Sequence, residues 1–166
     1  MNEHNPYGSP EAVVADFAES SLAGRGERLG AAIIDTIILL VIMLPLMFFG
    51  GYWQVAMSAG GEVPFLTTVL WALVGLAVFV AVQWVPLNAN GQTWGKRMLG
   101  IRIVDMDGDK PPIVQLICLR YLPIQLASNI PVIGIVVALV NVLLIFRADR
   151  RCGHDLIAGT QVVKGG

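Results

Sequence analysis

The sequence predicts an all-α membrane protein, a four-transmembrane-helix bundle with a short cytoplasmic β-ribbon. Three observations lead there. Of 166 residues, 55% are hydrophobic and only 14% charged, where a soluble domain carries about a quarter charged. The apolar residues fall into long blocks instead of amphipathic stripes. Lys and Arg collect in alternate gaps between the blocks, as they do when basic loops stay on the cytoplasmic side.

Residues 1–24 read as a mobile acidic cytoplasmic tail, with Glu3, Glu11, Asp16 and Glu19. They lack the basic start and apolar stretch of a secretory signal. A short helix from Ser9 or Pro10 to about Ser20 competes with an unstructured leader. The membrane domain is expected over 25–163, with helices at about 29–49, 65–86, 113–128 and 131–146, and 164–166 as a C-terminal tail.

Leu29 to Phe49 is apolar except for Asp35 and Thr36, and its length matches a hydrocarbon core about 30 Å thick. Pro45 is expected to bend its outer third. The loop that follows, Gly50 to Pro64, contains no Lys or Arg. Phe65 to Pro86 is a second full-length apolar run without an ionisable side chain, and Gln83 is its strongly polar interior residue. Trp53, Trp84 and Trp94 lie near predicted membrane boundaries.

Asn88 to Pro112 is polar and basic, with Lys96, Arg97, Arg102 and Lys110. Within it Leu99 to Asp105 reads as a strand, followed by a turn at Met106-Asp107-Gly108-Asp109. Thr160 to Val163 has the same β-branched character, so the two are expected to pair. Ile113 to Asn129 is apolar in bulk yet holds Gln115, Arg120, Gln125 and Asn129, and Pro123 interrupts it. Pro131 to Phe146 is apolar but short, and Arg147, Arg150 and Arg151 follow it. Keeping these arginines inside requires the last two segments to form a hairpin, so both termini are placed in the cytoplasm.

Charges inside apolar spans cost about 2.5–3.5 kcal/mol each near the helix centre. Asp35 and Arg120 have opposite sign and similar depth, so they are expected to pair. Arg28 lies two helical turns before Asp35 on one face, and Asp155 follows the last span. Arg28 is therefore expected to bridge Asp35 and Asp155. Duller roles compete: a register-fixing pair for Asp35, an interfacial anchor for Arg28, and a loop-fixing or capping role for His154 beside Asp155.

Other patterns dissolve. Arg97 stands after Gly95-Lys96 where a P-loop needs Ser or Thr. The glycine of Asp105-Met-Asp107-Gly108 comes too early for a calcium loop. Cys118 and Cys152 lack metal-ligand spacing. No metal or other cofactor is expected, nor a nucleic-acid partner. No catalytic constellation is visible, so the chain is not expected to be an enzyme.

Three stretches resemble the RDD family of membrane proteins: Arg28-Leu-Gly-Ala-Ala-Ile-Ile-Asp35, Gly91-Gln-Thr-Trp-Gly-Lys-Arg-Met-Leu-Gly-Ile-Arg-Ile-Val-Asp105 and His154-Asp155-Leu-Ile-Ala-Gly-Thr160. The resemblance covers about residues 25–163. It implies that Arg28, Asp35 and Asp155 are the signature arginine and two aspartates. Gly91, Thr93, Gly95, Lys96 and Gly100 then belong to its central motif. Transport is implied, including cation/proton exchange. Arg120, His154 and Gln83 are the expected supporting residues. The expected function is transport of a small ion or solute in the bacterial inner membrane. Expected partners are the lipid bilayer, a second copy or another membrane protein, and a small cation or proton. A non-transporting scaffold or accessory subunit is the rival reading.

Overall fold

The computed structural model describes residues 22–128 and 133–165. Residues 1–21 of the expected acidic tail, its short helix and the hairpin turn at 129–131 lie outside these residues, whereas Leu22 and Ala23 at the tail's end are tied to β2. Helix α1 is Arg25–Phe49 and continues through Pro45. It begins one turn earlier than expected, where the Gly24 N–H donates to the Glu27 carboxylate at 2.6 Å. Helix α2, Tyr52–Ser58, lies in the loop that had no predicted element. Helix α3, Phe65–Asn90, passes Pro86 and ends at Gly91, whose φ of +64° places it in the left-handed region.

The short helix α4, Trp94–Met98, starts on the Thr93 side chain, which accepts the Lys96 N–H. Strand β1, Ile101–Asp105, follows. The turn after it is held by the Asp105 carboxylate, which accepts the backbone N–H of Asp107 and Asp109 at 3.0 and 2.9 Å. Helix α5 begins as Ile113–Gln115, widens into a π-helical segment, Leu116–Tyr121, and continues as Leu122–Ser128. The widening precedes Pro123, whose ring lacks an N–H and crowds the preceding turn. Helix α6, Ile133–Leu143, ends in a 3₁₀ turn, Leu144–Phe146. Helix α7, Gly153–Ile157, leads into strand β2, Thr160–Lys164.

Strands β1 and β2 pair antiparallel, Ile101 opposite Lys164 and Asp105 opposite Thr160, which is the expected ribbon. Leu22 adds an isolated bridge to Val163. The buried apolar core gathers at this ribbon end and comprises Ala23, Ala31, Leu87, Ile101, Ile103, Leu116 and Val162. The long helices instead expose apolar side chains. On α1 these run through Leu29, Ile33, Ile37, Leu40, Leu44 and Phe48, a stripe at helical spacing. Among the described residues, α1 and α3 are the helices long and apolar enough to cross a bilayer. The segments Ile113–Ala127 and Gly134–Phe146 are apolar but shorter, so four full crossings are not established by length.

Candidate functional site

Two buried carboxylates organise the ribbon end, and of the pairings the sequence suggested only that of Arg28 with Asp155 forms. Arg120 does not meet Asp35. Its Nη1 forms an ion pair with Asp155 Oδ1 and donates to Thr160 Oγ1. Of the expected Arg28 bridge, the arm to Asp155 forms and the arm to Asp35 does not. Arg28 Nη2 pairs with Asp155 Oδ2, and its Nη1 donates to the Arg150 carbonyl. Equal depth is not shared azimuth: the ribbon and α7 tuck Asp155 between α1 and α5, and it captures both guanidiniums.

Asp155 is placed by its own short helix. It stands at the third position of α7, where its carboxylate accepts the Cys152 N–H at 3.0 Å. Arg151 reinforces the corner by donating to the carbonyls of Thr160 and Asp155 at 3.0 and 3.1 Å. Burial alone would raise the Asp155 carboxyl. The neighbouring Arg120, His154 and Arg28, with the Cys152 N–H, instead hold it well below the usual carboxylate range. Arg28 is only 7% exposed, which overturns the reading of it as an interfacial anchor.

Asp35 is satisfied by uncharged donors. Its Oδ1 accepts Gln83 Nε2 at 3.0 Å and the Gly95 N–H at 2.8 Å, and its Oδ2 accepts Thr93 Oγ1 at 2.5 Å. Gln83 is fully buried and also accepts the Trp94 N–H through Oε1 at 2.9 Å. The central motif thus folds as a plug on α1. Gly95 is required by contact: a Cβ there would collide with the Ala31 carbonyl and sit 3.0 Å from the Asp35 carboxyl carbon. At Gly91 a Cβ would lie 2.7 Å from the Ile103 carbonyl oxygen, beyond what its positive φ already imposes. Gly100, at φ +63°, turns the chain into β1.

His154 is fixed by Asn141 on α6, whose Oδ1 accepts its backbone N–H at 3.1 Å and faces its Nδ1 at 2.9 Å. Burial and the Arg120 cation lower its pKa to about 3, so the ring is neutral at physiological pH. This favours the loop-fixing role over a pH-sensitive pair. Cys152 Sγ, His154 and Asp155 offer atoms within 4.8 Å of one another. That trio does not suit a metal ion, because two guanidiniums already occupy the Asp155 carboxylate. Burial also pushes the Cys152 thiol up, away from the thiolate a metal needs.

Two cavities adjoin the carboxylates. One, about 270 Å³, is lined in part by Asp35, Thr93, Lys96, Arg120, Tyr121 and His154. The other, about 140 Å³, is bounded by Arg28, Asn141 and Cys152 and shares Ala32, Lys96, Arg120 and His154 with the first. A third, about 300 Å³, continues from the larger one past Leu39, Phe79 and Gln125 to Met43, Met47, Tyr52 and Trp71. Sequence reasoning did not single out Thr160, Tyr121 or Asn141. Thr160 was visible only as the last residue of the closing motif and the first of the second strand.

Long lipid-ready helices around a buried Arg–Asp–Arg cluster define a helical, membrane-associated class of protein. The chain belongs to the RDD family, whose model matches residues 22–159. It is 34% identical over 141 residues to the uncharacterized protein YckC of Bacillus subtilis (strain 168), covering 84% of this chain and 83% of that one. No solved structure matches it.

Proposed function

We propose that this chain is a multi-pass protein of the bacterial cell membrane that moves a small ion or solute along the inner face of α1. One observation carries the reading. The three cavities adjoin in series and follow α1 from Arg28 through Ala32, Asp35, Leu39 and Met43 to Met47. At a rise of 1.5 Å per residue that interval measures about 28 Å, close to a hydrocarbon thickness. Its steps of three and four residues keep it on one face of the helix.

The positive-inside argument puts the ribbon end in the cytoplasm. Arg25 and Arg28, the basic 88–112 loop, and Arg147, Arg150 and Arg151 all belong to segments joined there. The Ala23 N–H donates to the Val162 carbonyl, and Arg25 donates to that of Ile145. With α5 and α6 as a crossing hairpin, four spans leave both termini inside. Ala32 and Thr36 are exposed, so the series is open on one side, which a second copy would close. No catalytic role is part of the proposal. Cation/proton exchange fits the lining less well, since Lys96 and Arg120 stand beside Asp35.

The test is water access along α1 in a cysteine-free background. Cysteines at Ala32, Leu39 and Met43 should react with a membrane-impermeant thiol reagent in inside-out vesicles. Cysteines at Ile37 and Val41, on the lipid-facing side, should not. Uniform protection at all five positions would overturn the path and return the scaffold reading.

A further inference from the structure

We infer that the cavity between α1, α4 and α5 is a binding site for a singly charged oxyanion, a carboxylate or a phosphodiester, with Lys96 as its recognition cation. The inference deepens the proposed path and rests on its cavities. Five formal charges surround the two ribbon-end cavities: Arg28, Lys96 and Arg120 against Asp35 and Asp155. One positive charge is left over. Arg28 and Arg120 each have a carboxylate partner, but both share Asp155, so that cluster itself keeps one net positive charge. Beside that cluster, Lys96 lines both cavities and has no hydrogen bond or ion pair at its ammonium among the described residues.

Asp35 offsets the Lys96 charge without touching its ammonium, since three uncharged donors occupy its oxygens. Arg120 Nε and the Tyr121 hydroxyl lie against each other, buried and without a hydrogen bond of normal geometry among the described residues. A half-buried cation with no direct partner is costly, and an anion in the cavity reduces that cost. A metal cation or organic cation would meet Lys96 and Arg120 at repulsive range and add to it. Burial, then the Arg120 cation, lower the Lys96 pKa to about 8, as expected of an ammonium lacking its counter-ion. The cavity also opens beside exposed Ala32 and Thr36, so the same oxyanion chemistry can arrive as a free solute or on a lipid headgroup.

The experiment uses the full chain in neutral maltoside micelles, with acetate and phosphatidylglycerol as separate probes. Reductive methylation of each lysine is read by mass spectrometry, with exposed Lys164 as the internal control. Either probe should slow labelling of Lys96 severalfold and leave Lys164 unchanged. Protection by acetate assigns a free carboxylate, and protection by phosphatidylglycerol alone assigns a headgroup. No protection by either overturns the inference.

Calorimetry with the protecting probe should show Lys96→Arg retaining binding and Lys96→Met weakening it at least about tenfold. Equal binding by Lys96→Met also overturns it. Elution of both variants as folded protein on size exclusion keeps the comparison interpretable. Affinity should fall as pH rises through about 8, where Lys96 loses its proton. The groups facing it are Arg28 and Asp35 on α1, Arg120 and Tyr121 on α5, and Cys152, His154 and Asp155 on α7. Protection of Lys96 beside a water-sealed α1 would keep the anion site and remove the path. An accessible α1 with an unprotected Lys96 would do the reverse.

Discussion

Asp35 and Asp155 are both buried, yet one is held by neutral donors and the other by two cations. The difference decides what each substitution does. Asp155→Asn leaves Arg28 and Arg120 in a dry site without counter-charge, and breaking such a pair costs about 3–5 kcal/mol. Arg120→Gln combined with Asp155→Asn should therefore cost less than the two single changes added together. Arg120→Gln with Asp35→Asn should couple much more weakly, because those side chains share a cavity wall but no hydrogen-bond partner. Unfolding in detergent measures both cycles, and strong coupling between Asp35 and Arg120 would contradict the geometry. The sequence marked all three charges as exceptional, since apolar spans tolerate few. It did not reveal their pairing. Depth can be counted along a helix, but which face meets which depends on the whole packing. The Gly95 N–H that serves Asp35 carries no charge or side-chain signal at all.

The element that sequence reading understated is the central loop. Its glycines, its threonine and its strand were all visible as a motif, and the ribbon was found in the expected place. That the loop returns to seat α4 against Ala31 and Asp35 was not visible, because contact between backbones leaves only a glycine as its trace. Gly95→Ala should lower stability by about 1–3 kcal/mol through overpacking against the Ala31 carbonyl. Gly26→Ala is the control. A Cβ there has no neighbour within 4 Å, and the helical position should gain up to about 1 kcal/mol. Chemical denaturation of the pair should separate them in opposite directions. Equal stability would mean that α4 is not pressed on α1. The π segment of α5 is a similar case: Pro123 signalled an interruption, but the chain absorbs it by widening a turn instead of ending the helix.

For the whole molecule, the basic residues predict one orientation. A cysteine at Ser58 should be labelled from outside intact cells, whereas cysteines at Gln92 and Lys164 should be silent until the membrane is opened. External labelling at Lys164 would remove the four-span arrangement. The cluster around Asp155 also sets an order of assembly. Arg28 and Arg120 are translated well before the carboxylate with which both pair, and Arg120 belongs to a short apolar segment that inserts weakly on its own. Until the ribosome has released the stretch through α7, that segment carries an uncompensated cation worth about 2.5–3.5 kcal/mol against insertion. On the proposed four-span arrangement, the closing motif that carries Asp155 therefore acts as a latch on α1, and integration of the third segment is expected only after that motif has been made.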